Sequence, residues 1–285
     1  MNLEPAFEVR HDVPYGGGPT GTLCTDIYLP HAAGPHPVLF CLHGGAWARG
    51  SHRQYQSWGP WLAARGYAVL AVDYRLSIDV SPSWPGVFED VLRAFAWLTA
   101  HATSLDIDPA RIGVVGDSAG GHMAALLSFH EATKAQVRGV VGVYGIYDLP
   151  DWSLRTQAPR RKDDPVGRLM GKSLAEARKA YEEFSPQHQL SVLGVRPESS
   201  YLIIYGDEDR IVHHDQSGRF IDALRTLGAD VESMCVPGAG HSWFTWIDDH
   251  SGRRRVDQWP NTSVAPVLER FLQRALGPQG SNLGL

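Results

Sequence analysis

The sequence predicts a single α/β domain, with a mostly parallel central sheet flanked by helices. Three observations carry that expectation. Short apolar runs alternate with amphipathic stretches along most of the chain, the pattern of buried strands joined by surface helices. At 285 residues one domain can bury a sizeable core without disulfide or metal staples. Finally, a glycine-flanked serine sits directly between an apolar run and a helix-like run.

The expected buried strands are 38–42, 68–72, 112–115, 140–143, 201–205 and 231–236. Segments 7–13 and 23–29 read as antiparallel edge strands ahead of the first crossover. Helical faces follow from apolar spacing: Val87, Val91, Ala94, Phe95 and Leu98; then Phe220, Leu224 and Leu227; then Val264, Val267, Leu268, Phe271 and Leu272. A helix near 61–65 ends at Gly66, a residue suited to a left-handed cap. These stripes are most simply core packing and carry no chemistry.

Segment 149–190 breaks the rhythm with Trp152, the charged cluster Arg160, Arg161, Lys162, Asp163 and Asp164, and a helical run near 173–184. An insertion after a strand suits a cap or lid beside a binding site, or a surface excursion that never meets substrate. The remainder of 1–285 is one domain, with no repeat and no low-complexity tract.

Composition narrows the function classes. Apolar residues make up 43% and charged residues 20%, as in an ordinary globular enzyme, and the formal charge is −5. No basic stripe is present to replace the counterions of a nucleic acid, so no nucleic-acid partner is expected. The run Arg253-Arg254-Arg255 is short and reads as a solvated turn. Cys24, Cys41 and Cys235 are far apart and lack metal-ligand spacing, so they read as buried thiols in a reducing compartment. No secretory leader and no apolar run of membrane-spanning length is visible, which makes a soluble cytoplasmic protein without membrane contact the expectation.

The chemistry gathers around Gly116-Asp117-Ser118-Ala119-Gly120. The G-x-S-x-G pattern is weak alone in a chain with 30 glycines. Its setting strengthens it, because strand 112–115 leads in and a helical run from Met123 to Leu127 leads out, as a nucleophile elbow requires. Small neighbours allow the sharp turn, and the helix N-terminus favours developing negative charge. A serine hydroxyl needs a general base. Of 13 histidines, His241 follows the last expected strand in Pro237-Gly238-Ala239-Gly240-His241-Ser242-Trp243, on the same sheet edge as Ser118. The base needs an orienting carboxylate, and strand 201–205 runs into Gly206-Asp207-Glu208-Asp209. Three acids crowd that strand end, and the residues alone leave the choice among them open; the order Ser, acid, His suits a hydrolase of this class. Strand 38–42 runs into His43-Gly44-Gly45-Ala46-Trp47, where small residues let backbone N–H groups aim at an oxyanion. Gly44, Gly45 and Ala46 are the candidate donors there, with Ala119 after the nucleophile as another.

Taken together, these segments resemble the hormone-sensitive-lipase-like branch of the α/β hydrolases. His43-Gly44-Gly45-Ala46-Trp47 is similar to its H-G-G-G/A-x signature, with alanine where glycine is commonest. Val72-Asp73-Tyr74-Arg75-Leu76 and Gly116-Asp117-Ser118-Ala119-Gly120-Gly121-His122 resemble two further segments. The acid-bearing segment matches over Tyr205-Gly206-Asp207-Glu208-Asp209-Arg210-Ile211-Val212, with Tyr205 in place of the usual histidine, and selects Asp209. The resemblance spans roughly residues 20–275 and implies an α/β-hydrolase fold and ester hydrolysis. It is weakest over 149–190, so substrate class transfers poorly.

The expected activity is two-step acyl transfer by Ser118, Asp209 and His241 on a small or aromatic ester, with no metal and no cofactor. An arylformamidase or amidase would use the same triad, and related enzymes share an H-G-G-x-W segment. A transferase passing the acyl group to an alcohol or amine shares the acyl-enzyme, whereas a non-catalytic binder typically lacks a triad residue. Trp47, Tyr74, Tyr144 and Trp243 are the candidate substrate contacts, among further aromatics at Tyr147, Trp152, Phe244 and Trp246. Members of this branch often pair through an edge strand or cap, so a homodimer stays open.

Overall fold

A computed structural model describes residues 6–156, 164–245 and 255–277. Eight strands form one sheet: β1 (Phe7–Gly18), β2 (Gly21–Pro30), β3 (His36–Leu42), β4 (Ala68–Val72), β5 (Ile107–Asp117), β6 (Val137–Val143), β7 (Ser200–Gly206) and β8 (Val231–Val236). Their spatial order is β1-β2-β4-β3-β5-β6-β7-β8. From β4 to β8 every pairing is parallel, while β1 and β2 run antiparallel.

Alternation along the strands explains the layers. In β3, Val38, Phe40 and Leu42 face one apolar cluster, and Leu39 and Cys41 face the other. The first cluster is covered by α2 (Gly86–Ala100), α3 (Ala119–Phe129) and α8 (Asp215–Thr226), through residues such as Val91, Met123 and Phe220. The second is covered by α1 (Trp58–Ala63) and α9 (Asn261–Leu276), through Trp58, Leu62, Leu268 and Phe271. Strands buried on both faces read as continuous apolar runs, which is why they were visible in the sequence.

Sheet order also places the chemistry. The chain leaves β3 for β4 on one side, then returns to β5 on the other side of β3. At such a reversal the loops leaving the two central strands diverge and open a crevice at their carboxyl ends. Leu42 of β3 pairs with Gly116 of β5, so the glycine-rich segment from His43 and the turn at Ser118 leave adjacent strands side by side.

Three expectations are corrected. β2 is not an edge strand, because it is hydrogen-bonded between β1 and β4. Cys235 is exposed and Cys24 only half-buried, leaving Cys41 as the buried thiol. Cys235 lies on β8, an edge strand whose alternate residues meet solvent. Segment 149–190 holds more than the one helix expected: α4 (Leu149–Thr156), α5 (Pro165–Met170), α6 (Leu174–Glu183) and α7 (Pro186–Leu193, which runs just past it). Local start signals explain the short pieces. Asp164 accepts from Gly167 N ahead of Pro165 (2.9 Å), Ser173 and Glu176 form a capping box, and Pro186 opens α7. Most of the charged cluster expected there (Arg160, Arg161, Lys162, Asp163), with Trp246, Arg253 and Arg254, lies outside the described residues.

Candidate active site

The turn from β5 into α3 forces Ser118 to φ 53°, ψ −116°. That conformation costs a non-glycine residue free energy and persists only where neighbours over-determine it. Here Ser118 N donates to Val143 O (2.9 Å), and Ser118 O accepts from His122 N (3.1 Å). The flanking glycines are needed sterically. A Cβ at Gly116 would fall on the Gly120 backbone, and one at Gly120 would fall on Leu42 O.

His241 Nε2 lies 3.0 Å from Ser118 Oγ, and His241 Nδ1 lies 2.6 Å from Asp209 Oδ2. A carboxylate only accepts, so Nδ1 carries the proton and Nε2 is left to accept from the hydroxyl. The structure also separates the three acids at the end of β7. Asp209 is buried, and its other oxygen accepts from Ile211 N (2.8 Å) and Val212 N (2.9 Å). Asp207 is exposed and accepts from Gly238 N (2.6 Å), while Glu208 is exposed and joins through its backbone, N to Ala239 O (3.1 Å). Gly206 permits the close approach of the two loops, since a Cβ there would meet the Ala239 backbone. The three residues singled out in the sequence, Ser118, Asp209 and His241, thus stand in one hydrogen-bonded line.

The segment after β3 turns through three positive-φ residues, Gly45 (φ 121°), Ala46 (φ 54°) and Trp47 (φ 55°). Among the described residues, the N–H groups of Gly45, Ala46 and Ala119 take no hydrogen-bond partner. Gly44 departs from the expectation. Its N–H donates to Asp117 Oδ1 (3.1 Å), so it is already engaged and cannot face an oxyanion.

Asp117 belongs to the site beyond the residues expected from the sequence. Its buried carboxylate also accepts from Thr245 Oγ1 (2.9 Å) and Tyr144 Oη (3.3 Å), joining the segments after β3, β6 and β8 behind the nucleophile. Burial pushes its pKa up to about 6, against the donors that favour its charge. An acidic residue at the variable position before the serine was the available signal.

Ser118, His241, Gly45 and Ala46 line a cavity of 290 Å³, whose wall also includes Arg49, Gln54, Trp152, Pro165 and Ile211. Among the described tryptophans, tyrosines and phenylalanines, only Trp152 lines it; the four expected contacts do not. Trp47 is fully buried and packs edge-on to His122 and Trp152. Tyr74 stacks on His43 (4.1 Å between centroids) and donates to His43 O (2.7 Å). Tyr144 supports the ring of His241, and Trp243 packs edge-on to Tyr144. All four build the floor under the site. Trp152 donates its indole N–H to Ile211 O (2.9 Å), which ties α4 to the loop of Asp209. Burial also holds the imidazoles of His43 and His122 neutral, pushing each down to about 4.

Two groups of side chains elsewhere bring candidate cation ligands together: Asp12, Asp26 and His52, and His213, His214 and Asp215. In the first, His52 is already held by Asp12 (3.1 Å) and Asp73 (2.8 Å), and hydrogen bonds to Asp26 and Asp73 outweigh burial to raise its pKa to about 10. Ser118, Asp209 and His241 belong to neither group. No helix among the described residues is long and apolar enough to cross a membrane.

Residues 25–224 match the BD-FAE family. The chain belongs to the BD-FAE family. The BD-FAE match runs from β2 into α8, so it includes Ser118 and Asp209 and stops before His241. Among curated relatives, the esterase LipC of Mycobacterium tuberculosis is 31% identical over 250 residues, covering 82% of this chain and 60% of the relative. The isoprenylcysteine alpha-carbonyl methylesterase ICME of Arabidopsis thaliana is 29% identical over 255 residues, covering 82% and 57%. The chain thus spans about 60% of the length of these relatives. Among solved structures, a truncated carbohydrate esterase from gut microbiota superposes with a TM-score of 0.74 at 23% identity, over 95% of this chain and 99% of that one. Native esterase 2 of Thermogutta terrifontis gives 0.72 at 23% identity, over 97% and 96%. The fold of this BD-FAE chain is accordingly the α/β-hydrolase fold.

Proposed function

We propose that the chain hydrolyses carboxylic esters of small substrates through an acyl-enzyme on Ser118. The observation that carries this reading is the line Asp209–His241–Ser118, at 2.6 and 3.0 Å, opening on a cavity beside unpaired backbone N–H groups. His241 Nε2 takes the hydroxyl proton as Ser118 Oγ bonds to the ester carbonyl carbon. The carbonyl oxygen gains the negative charge and accepts from the N–H groups of Gly45, Ala46 and Ala119. Collapse breaks the bond to the alkoxide, which leaves with the proton from His241. Water then repeats the sequence and frees the acid. Asp209 keeps the proton on Nδ1 and steadies the imidazolium.

Ester cleavage is favoured by the relatives named as esterases, including the ethyl acetate hydrolase of Pseudomonas putida, 29% identical over 239 residues. Segment 149–190 serves as a cap, a role supported by Trp152 and Pro165 in the cavity wall. The cavity suits compact acyl and alcohol groups and not long chains.

The test is covalent labelling. Paraoxon should add one diethylphosphoryl group to the peptide containing Ser118 and abolish hydrolysis of 4-nitrophenyl acetate. Ser118→Ala should neither label nor turn over. Labelling at another residue, or wild-type turnover by the variant, overturns the reading. An N-formyl aromatic amide assayed beside the ester separates esterase from formamidase.

A further inference from the structure

Among the described residues that line the cavity, Arg49 is a cation that acyl transfer does not use. Arg49 lines it, four residues after Gly45, and its stem lies across that glycine: Arg49 Cγ is 2.9 Å from where a Gly45 Cβ would stand. The loop is fixed there by Ala48 N and Arg49 N, which both donate to Gly45 O (3.0 and 3.2 Å). The guanidinium therefore sits within one side-chain length of the oxyanion segment. Among the described residues it has no ion pair and no side-chain hydrogen bond. Arg138, Arg196, Arg210 and Arg270 likewise show no carboxylate partner among the described residues, but none of them lines the cavity.

A second donor points to the same wall. Gln54 also lines the cavity, and its Oε1 accepts from Ser51 N (3.2 Å) in the capping box of the turn His52–Tyr55. With the carbonyl oxygen held by that bond, the amide NH₂ of Gln54 remains as a donor without a partner among the described residues. Among the described residues, Asp117 is the one carboxylate on the lining, and both its oxygens are occupied by Gly44, Thr245 and Tyr144. Two residues whose donors lack an acceptor among the described residues, one of them a guanidinium, thus line a cavity whose described wall also includes Trp152, Pro165 and Ile211.

We propose that Arg49, with Gln54, is the specificity determinant for an ester that carries a carboxylate, so that the preferred substrate is a small anionic ester. This rests on the ester-hydrolase reading above. Arg49 is exposed; its guanidinium presents paired N–H donors to a carboxylate, and at so wet a position the attraction is open to screening by salt. The apolar wall receives the rest of the molecule.

Matched ester pairs test it. The 4-nitrophenyl monoester of glutaric acid against 4-nitrophenyl pentanoate puts the charge on the acyl side. 4-Acetoxybenzoate against phenyl acetate puts it on the leaving group. In at least one pair the wild type should favour the anion in kcat/KM by about tenfold, mostly through KM. Arg49→Met should bring that ratio to about one or below, Arg49→Lys should keep part of it, and added salt should shrink it in the wild type. Equal ratios in wild type and Arg49→Met, or a wild-type preference for the neutral ester in both pairs, overturns the proposal while leaving the esterase reading intact. Failure of the wild type to hydrolyse any of the four overturns both.

Discussion

The backbone N–H of Gly44 donates to the carboxylate of Asp117 across 73 residues of sequence, at 3.1 Å. That bond locks the loop after β3 to the residue immediately before the nucleophile. The same carboxylate accepts from Thr245, four residues beyond His241, and from Tyr144, whose hydroxyl in turn accepts from Phe244 N (2.9 Å). The segments that carry nucleophile, base and oxyanion donors thus share one buried anchor.

Removing the anchor should loosen the site without erasing it. Asp117→Ala strips acceptors from Gly44, Thr245 and Tyr144, and kcat on a neutral aryl ester should fall by about tenfold or more, with KM moved less. Asp117→Asn keeps an acceptor oxygen for Gly44 and should recover most of that loss. Equal kcat in the wild type and the alanine variant would show that the loop holds its shape without the bond.

Asp209 divides its oxygens between the loop and the base, so two substitutions separate two roles. Asp209→Asn can still accept from Ile211 and Val212, but its NH₂ would face His241 Nδ1 and favour the wrong tautomer. We expect kcat to fall by about 10³ to 10⁴ at a nearly unchanged Tm. Asp209→Ala should lose activity similarly and also lower Tm, because two buried N–H groups lose their acceptor. Thermal unfolding alongside steady-state kinetics checks both.

Acid should destabilise the protein through imidazoles kept neutral by burial. His122 is fully buried, donates to Phe184 O (2.8 Å), packs against Trp47 and Trp84, and has its pKa pushed down to about 4. The unfolded chain binds that proton near pH 6.5 and the native state does not. Stability is therefore lost as pH falls from about 6.5 toward 4, by on the order of 3 kcal/mol at the lower end for such a group. His122→Gln keeps an N–H donor and cannot titrate. Its Tm should fall less steeply than the wild type between pH 7 and 4.5. Parallel curves for the two proteins would refute the assignment.

What could be read without a structure was what depends on contiguous residues. The parallel strands announced themselves as apolar runs because both faces of each are covered. The elbow at Ser118 was legible because strand, turn and helix follow one another in the chain. Strand order then limited which histidine could stand above it. The antiparallel pairing of β1 and β2 was expected, but the full length of β1 and the inner place of β2 escaped, since nothing local says which strand lies at the edge.

The misjudged aromatics mark the limit. Trp47 adjoins the oxyanion segment and looked like a pocket wall, but at φ 55° it turns its indole into the core against His122. Trp152, far along the chain, lines the cavity in its stead. Residue type tells how apolar a surface is, whereas the side of the backbone it occupies is set by φ and by what packs behind it.

The sequence alone therefore determined the fold class, the elbow at Ser118 and the short list of partners, because strand burial and tight turns act over neighbouring residues. The family resemblance picked Asp209 among the three acids, but only the tertiary structure buried it against His241, engaged Gly44 with Asp117, and left Arg49 on the cavity lining without an ion pair among the described residues. Each of those outcomes depends on distances between groups far apart in the chain, and these exist only once the sheet has assembled.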